Sequence, residues 1–176
     1  MSRHQSCVGF FIYLTTMKSH SINEIQKELK TLEPKEVLEL CMRLAKHKKE
    51  NKELLSYLLF DQDDEKEYLQ KVKKELDELF LEINRKTTWT TKKGLQKIVR
   101  QLNKFIKNSS KKESELELRL YFCKKTKATR INLDASKIIS NLYYREVEKI
   151  KSAYAKLHED LQYDYKEELE KLAIIQ

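Results

Sequence analysis

Glycine and proline are scarce in this chain, with two glycines and one proline among 176 residues. Few tight turns are therefore expected, and no Gly-rich phosphate loop is present. Leu, Lys and Glu are abundant, and these residues favour helix. We predict an all-α protein of seven or eight helices.

Familiar catalytic and metal-binding motifs are absent as well. The sequence contains no G-x-S-x-G, no H-E-x-x-H and no C-x-x-C. Cys7, Cys41 and Cys123 are far apart and odd in number, which is a poor disulfide framework and fits a reducing, cytoplasmic compartment. Cys41 lies among apolar helix positions, so we expect a buried free thiol there. No catalytic residue, metal ligand or cofactor is predicted, and a non-enzymatic protein is favoured.

The first sixteen residues differ in composition from the rest. Cys7 to Leu14 is an apolar run of eight residues, too short to span a bilayer, and no small-x-small cleavage site follows it. Met17 offers an alternative start. We expect residues 1–16 to be an N-terminal extension and residues 17–176 to form a single helical domain. A lipid-facing or partner-binding segment is the alternative for residues 1–16.

Hydrophobic periodicity arranges the helices in four pairs, 22–48, 51–84, 91–124 and 135–173. A two-helix unit of about 40 residues is typical of HEAT-type solenoids. The four units are not similar in sequence, so an irregular bundle of αα-hairpins stays open. Leu54 to Phe60 is apolar almost all round and predicts a central helix.

A long C-terminal helix is predicted from about Asp134 to Ile174, because no glycine or proline interrupts this segment. Its apolar residues follow heptad spacing for about three repeats. They are Tyr143, Val147, Ile150, Tyr154, Leu157 and Leu161. The helix either lies across the body and covers its core or forms a short dimerisation coil. We favour the first interpretation because the heptad run is short.

Acidic residues cluster in the segment from Asp61 to Glu65. An EF-hand calcium loop requires a glycine, which this segment lacks. Asp and Glu at a helix N-terminus cap free backbone N–H groups, and their negative charge interacts favourably with the positive end of the helix dipole. The segment therefore predicts the start of a helix rather than a metal site.

Basic residues dominate the segment from Thr87 to Lys112, which contains eight Lys or Arg and no acid. Within it, Thr91 to Lys107 predicts one amphipathic helix. Five bases share one face of this helix, opposite an apolar face. They are Lys93, Lys97, Arg100, Lys104 and Lys107.

Two interpretations of these five bases stay open. The face is either solvated and paired with the acids of neighbouring helices, or it follows a phosphate backbone. The first is somewhat favoured. The net charge of +8 agrees with an anionic partner.

Trp89 lies just before the predicted helix. We expect its side chain to anchor the turn between the two helices in the core, which is the commoner role of a lone Trp.

One pattern of carboxylates permits an enzyme hypothesis. Glu36-x-x-Glu39 and Asp61-x-x-Asp64 resemble the carboxylate pairs with which all-α nucleotide pyrophosphatases hold magnesium. That family's second pair is Glu-x-x-Asp, which does not occur in this chain. The resemblance therefore implies only a remote alternative, a metal-dependent nucleotide hydrolase.

Two longer stretches, Pro34 to Asp61 and Leu157 to Leu172, are similar to a family of short helical bacterial proteins of unknown function. The similarity covers the chain from Met17 onward. It implies a helical fold and a bacterial cytoplasmic setting, and it transfers no active site.

These observations together predict a helical binding or scaffold protein without enzymatic activity. The five bases at 93, 97, 100, 104 and 107 are its expected binding residues. Their partner is an anion, with nucleic acid and an acidic protein as the two alternatives. A self-associating structural protein, with the C-terminal helix as the interface of a homodimer, is the second hypothesis.

Overall fold

The computed structural model describes residues 19–174 and contains eight α-helices and no strand in that range. The all-α prediction is confirmed. The helices are α1 Ile22–Leu29, α2 Pro34–His47, α3 Lys49–Ser56, α4 Glu65–Leu81, α5 Thr88–Ser109, α6 Lys112–Ala128, α7 Lys137–Tyr154 and α8 Glu159–Lys171. A π-helical turn, Tyr57–Asp61, follows α3, and a 3-10 turn, Leu133–Ala135, precedes α7. None of these helices is both long enough and apolar enough to cross a bilayer. The extension predicted at residues 1–16 lies outside the described range.

The chain divides into two units, residues 1–43 and 44–176, and the boundary falls within α2. Helix α1 starts with a capping box formed by Ser21 and Glu24, whose side chains each accept the other's backbone N–H. No residue of α1 or α2 is buried, and Cys41 is exposed. The prediction that Cys41 is buried was wrong, because periodicity identifies an apolar face but not what covers it.

The second unit has one hydrophobic core, formed mainly by α4 to α7. In α5, Leu95, Ile98 and Leu102 are buried at helical spacing. Helix α6 is buried on several sides, at Leu116, Leu118, Leu120 and Phe122 among others. Polar and apolar residues alternate from Glu115 to Leu120, a pattern typical of a strand. A helix can carry this pattern when it is covered nearly all round, because it then needs no single apolar stripe. The HEAT-like repeat stays a prediction.

The segment from Leu54 to Phe60 is not central, contrary to the prediction. Tyr57 is buried, whereas Leu58, Leu59 and Phe60 are 43%, 64% and 79% exposed. The chain turns here through the π-helical turn, in which the Gln62 N–H donates to the Tyr57 carbonyl at 3.0 Å. One side of this apolar segment faces the core, and the others face solvent.

The long C-terminal helix predicted from 134 to 174 is interrupted between α7 and α8. Nδ1 of His158 accepts the Asp160 N–H at 3.4 Å, and the Gln162 side chain donates to the Leu157 carbonyl at 2.9 Å. These bonds fix the start of α8, and α7 ends at Tyr154, in each case without glycine or proline. Tyr143, Val147 and Ile150 are buried within this unit. Their burial favours the core-covering interpretation of the heptad run.

Candidate functional site

The candidate site is one face of α5, and the ends of this helix are fixed by its own residues. The Thr87 hydroxyl accepts the Thr90 N–H at 3.1 Å, and the Thr90 hydroxyl accepts the Thr87 N–H at 3.3 Å. At the other end, Ser110 takes the left-handed conformation, with φ of 57°, and stops the helix. The helix therefore extends beyond the predicted 91–107 in both directions.

The buried stripe of α5 orients the predicted bases away from the core. We call Lys93, Lys97, Arg100, Lys104 and Lys107 the basic face. Four of these side chains are exposed, and Lys104 is half-buried. At 1.5 Å per residue, the face is about 21 Å long. The structure thus places all five predicted bases on one side of a single rigid helix.

Two bases of this face have acidic partners within the same unit. Lys97 Nζ lies 2.7 Å from Glu82 Oε2, and Lys104 Nζ lies 3.3 Å from Glu50 Oε1. Hydrogen bonding of Glu50 to its own backbone and to Lys104 lowers the pKa of its carboxyl. The interpretation that these bases pair with acids of neighbouring helices therefore applies to Lys97 and Lys104.

Arg100 and Lys107 make no ion pair within residues 19–174, and Lys93 makes a different contact. Lys93 Nζ lies 3.7 Å from the centroid of the Trp89 ring. Trp89 is 56% exposed, so the prediction that it anchors in the core was wrong. Its spacing of four residues from Lys93 places it on the basic face, and this spacing could have predicted its exposure.

Three of the four carboxylates of the enzyme hypothesis are engaged by other residues. Glu36 accepts the Glu33 N–H, Asp64 caps α4 by accepting the Glu67 N–H, and Asp61 pairs with Lys71 at 3.0 Å. The prediction that the acidic segment starts a helix is confirmed. From residue 19 to residue 174, no group of three or more His, Cys, Asp or Glu is placed to hold a metal ion.

Sequence reasoning missed a polar cluster centred on Glu65. The Glu65 carboxylate accepts hydrogen bonds from Tyr57 at 2.8 Å and from the hydroxyls of Ser109 and Ser114, and it pairs with Lys111 at 3.0 Å. Burial alone would raise its pKa, but these donors outweigh burial and lower the pKa. The members of this cluster come from three separate parts of the chain, at 57, 65 and 109–114, so no local pattern predicts it.

A second missed feature is an ion pair in the core. Arg119 on α6 pairs with Glu146 on α7, and their exposed fractions are 5% and 2%. Arg119 also contacts Glu115 and Asn103, and Lys149 donates to Glu146 at 2.7 Å. The position of Arg119 between Leu118 and Leu120 is a sequence signal for a buried charge, but it does not identify Glu146 as the partner.

No protein-family model matches this chain, and no curated protein or solved structure matches it either. The similarity to short helical bacterial proteins gains no support from these comparisons.

Proposed function

We propose that this protein is a non-enzymatic helical binding protein whose basic face engages the phosphate backbone of a nucleic acid. The observation that carries the proposal is the exposure of Lys93, Arg100 and Lys107 on a helix that contains no acid, with Trp89 exposed beside them. Cations aligned on one helix face neutralise phosphates, and the counterions they release drive binding.

The internal partners of Lys97 and Lys104 do not oppose this function. Both ion pairs lie at least partly in solvent, where such pairs contribute little to the stability of the fold. Hydrogen bonds between an ammonium group and a phosphate are charge-assisted and stronger than neutral ones. A phosphate can therefore replace Glu82 or Glu50 as the partner of the lysine at little cost in free energy. Arg100 and Lys107 can bind a phosphate without breaking an ion pair of residues 19–174.

The test is fluorescence anisotropy of labelled duplex and single-stranded oligonucleotides at about 50 and 200 mM salt. The key variant is Arg100→Gln/Lys107→Gln. Its matched control is Lys137→Gln/Lys156→Gln, two exposed lysines that make no ion pair in the described part of the chain. We expect weaker binding by the key variant to every sequence, with the slope of log affinity against log salt reduced by roughly two units.

Two results would overturn the proposal. One is the absence of salt-sensitive binding at the lower salt concentration. The other is an equal loss of affinity in the key variant and in the control, since this would reflect net charge rather than the basic face.

The alternative proposal of a self-associating protein requires a different measurement. Light scattering gives the mass in solution, to be compared with 21.1 kDa for one chain. A monomer at high concentration would remove that alternative.

A further inference from the structure

A second group of bases, separate from the basic face, surrounds a pocket of about 320 Å³ in the second unit. Two connecting segments form this pocket: residues 85–91, where α4 leads into α5, and residues 130–139, where α6 leads into α7. None of the five residues of the basic face lines it. Its volume lies near the lower end of the range of about 300–1,000 Å³ that is typical of small-molecule sites.

The charge of the pocket lining is entirely positive. Arg85, Lys86 and Arg130 line the pocket, whereas no Asp or Glu does. All three bases are exposed, and none of them makes an ion pair within residues 19–174. Asp134 is adjacent to the lining in sequence but is not part of it. Because three like charges around one small pocket repel each other, an anion that neutralises them is the expected occupant.

A hydrogen bond between the two segments holds the bases together. Nη1 of Arg85 donates to the Thr129 carbonyl at 3.0 Å, and this bond joins the segment before α5 to the end of α6. Arg130 follows Thr129 directly and takes the left-handed conformation, with φ of 53°. The bond uses one of the five N–H donors of the Arg85 guanidinium, so this group can still bind an oxyanion through the others.

Neutral donors are present beside the three cations. Thr88 and Asn132 also line the pocket. The side-chain oxygen of Asn132 accepts the Asp134 N–H at 2.9 Å, which leaves its NH₂ group as a donor. Helix α5 begins at Thr88 without an acid in its first turn, so its dipole adds to the positive potential that the bases create.

This set of donors fits a phosphate better than a carboxylate. A phosphate monoester carries nearly two negative charges at neutral pH and has three free oxygens, whereas a carboxylate has one charge and two oxygens. The planar guanidinium group of arginine binds phosphate oxygens in pairs. A phosphate monoester can therefore contact several of these cations and neutral donors at the same time.

We propose that this pocket binds the phosphate monoester group of a ligand, with Arg85, Lys86 and Arg130 as its cationic contacts. Two sources supply this chemistry: a small phosphorylated molecule and the terminal phosphate of a nucleic-acid strand. The proposal does not depend on the basic face, because the pocket shares no residue with it.

The experiment is isothermal titration calorimetry of the full chain with methyl phosphate as the probe, at about 50 mM salt. Dimethyl phosphate is the comparison compound, because it carries one charge and resembles an internal phosphate of a strand. We expect methyl phosphate to bind one site per chain, at least about tenfold more tightly than dimethyl phosphate. Failure of methyl phosphate to bind at millimolar concentration, or equal affinity for dimethyl phosphate, would overturn the proposal.

A double variant locates the site. Lys86→Gln/Arg130→Gln removes two of the three cations and leaves the bond between Arg85 and Thr129 in place. It should weaken methyl phosphate by at least about tenfold, since each lost contact is charge-assisted. Its melting temperature should equal that of the parent protein, because both side chains are exposed.

The matched control is Lys66→Gln/Lys74→Gln, which changes the net charge by the same amount. Both lysines are exposed residues of α4, and neither lines the pocket. We expect the control to bind methyl phosphate like the parent protein. Unchanged affinity in Lys86→Gln/Arg130→Gln would place the binding elsewhere, and equal losses in the two double variants would reflect net charge alone. Either result would overturn the assignment.

Labelled oligonucleotides with and without a terminal phosphate distinguish the two sources. Tighter anisotropy binding of the phosphorylated strand, with the gain lost in Lys86→Gln/Arg130→Gln, would assign the pocket to strand ends. The gain should survive in Arg100→Gln/Lys107→Gln, so failure of the basic face and failure of the pocket give different results. Equal binding of both oligonucleotides, together with binding of methyl phosphate, would support the pocket as a site for small phosphorylated molecules.

Discussion

At the scale of single residues, Trp89 and Lys93 define one end of the basic face. The ammonium group of Lys93 lies over an indole ring that is more than half exposed. An exposed ring contributes little to a core, but it offers a flat surface on which a base can stack. If Trp89 stacks on a base, the proposed interface should prefer single strands, whose bases are unstacked. If only the lysines and the arginine contribute, it should contact phosphates alone and show no such preference.

Replacement of Trp89 by Ala tests this distinction. We expect Trp89→Ala to weaken binding to single-stranded oligonucleotides by about 1–3 kcal/mol and binding to duplex much less, because duplex bases are already stacked. The change in thermal stability should stay within about 0.5 kcal/mol, as for other exposed positions. Anisotropy and thermal unfolding measure the two effects. Equal losses for single strand and duplex would contradict a stacking role.

Cys41 and Cys123 are free thiols in opposite environments. Cys41 is exposed and Cys123 is buried, and burial raises the pKa of Cys123 to about 12. Because the thiolate is the reactive form, Cys123 should react with iodoacetamide at pH 8 at least about a hundredfold more slowly than Cys41. Peptide mass mapping over time measures both rates. In denaturant the two rates should converge, whereas equal rates in the native protein would contradict the burial of Cys123.

At the scale of elements, the ion pair between Arg119 and Glu146 joins α6 to α7 in the core. Removal of one partner leaves the other buried with one ion-pair partner fewer: Glu146 keeps Lys149, and Arg119 keeps Glu115. We expect Arg119→Met or Glu146→Leu alone to lower the free energy of unfolding by about 1.5–3 kcal/mol, the range for hydrogen bonds to charged groups. Urea unfolding measures the change.

The double variant Arg119→Met/Glu146→Leu is the control for this prediction. It removes both charges and should cost clearly less than the sum of the two single changes, since neither buried charge is left without the other. Additive losses would mean that the two side chains act independently and that packing, not charge pairing, explains the single effects.

At the scale of the whole molecule, composition predicted the fold class, and sequence periodicity predicted the shared face of the five bases of α5. It did not predict which apolar faces are covered: Cys41, Leu59 and Phe60 occupy apolar positions and are exposed. Periodicity is a property of one helix, whereas coverage depends on neighbours that the sequence does not place. The interruption before His158 was missed for a related reason, since it depends on side-chain caps rather than on glycine or proline.

Binding features built from distant residues were the least predictable. The alignment of Arg100 and Lys107 follows from their spacing within one helix, but the ion pair between Lys104 and Glu50 requires two helices to meet. The Glu65 cluster likewise combines residues from several elements. No local sequence pattern predicts such contacts between elements, because they result from tertiary packing.

Glu65 connects several elements of the second unit, so its protonation should affect the stability of that unit as a whole. Its folded-state pKa lies below the ordinary value of 4.5, because its hydrogen bonds and its ion pair with Lys111 outweigh the effect of burial. The folded state therefore binds this proton more weakly than the unfolded state does. The stabilisation is complete above pH 4.5 and is lost as the pH falls through the lower folded-state pKa.

Glu65→Gln should reveal this contribution in urea unfolding measured from pH 7 to pH 3. At pH 7 we expect the variant to lose about 1–3 kcal/mol of unfolding free energy, because a neutral amide replaces a carboxylate that accepts several hydrogen bonds. The difference from the parent protein should shrink below pH 4.5, where the parent also loses the charge. Glu159→Gln, at an exposed position of α8, is the matched control and should change little at either pH. A difference that stays constant across the range would show that the Glu65 cluster stabilises the unit through its shape and not through its charge.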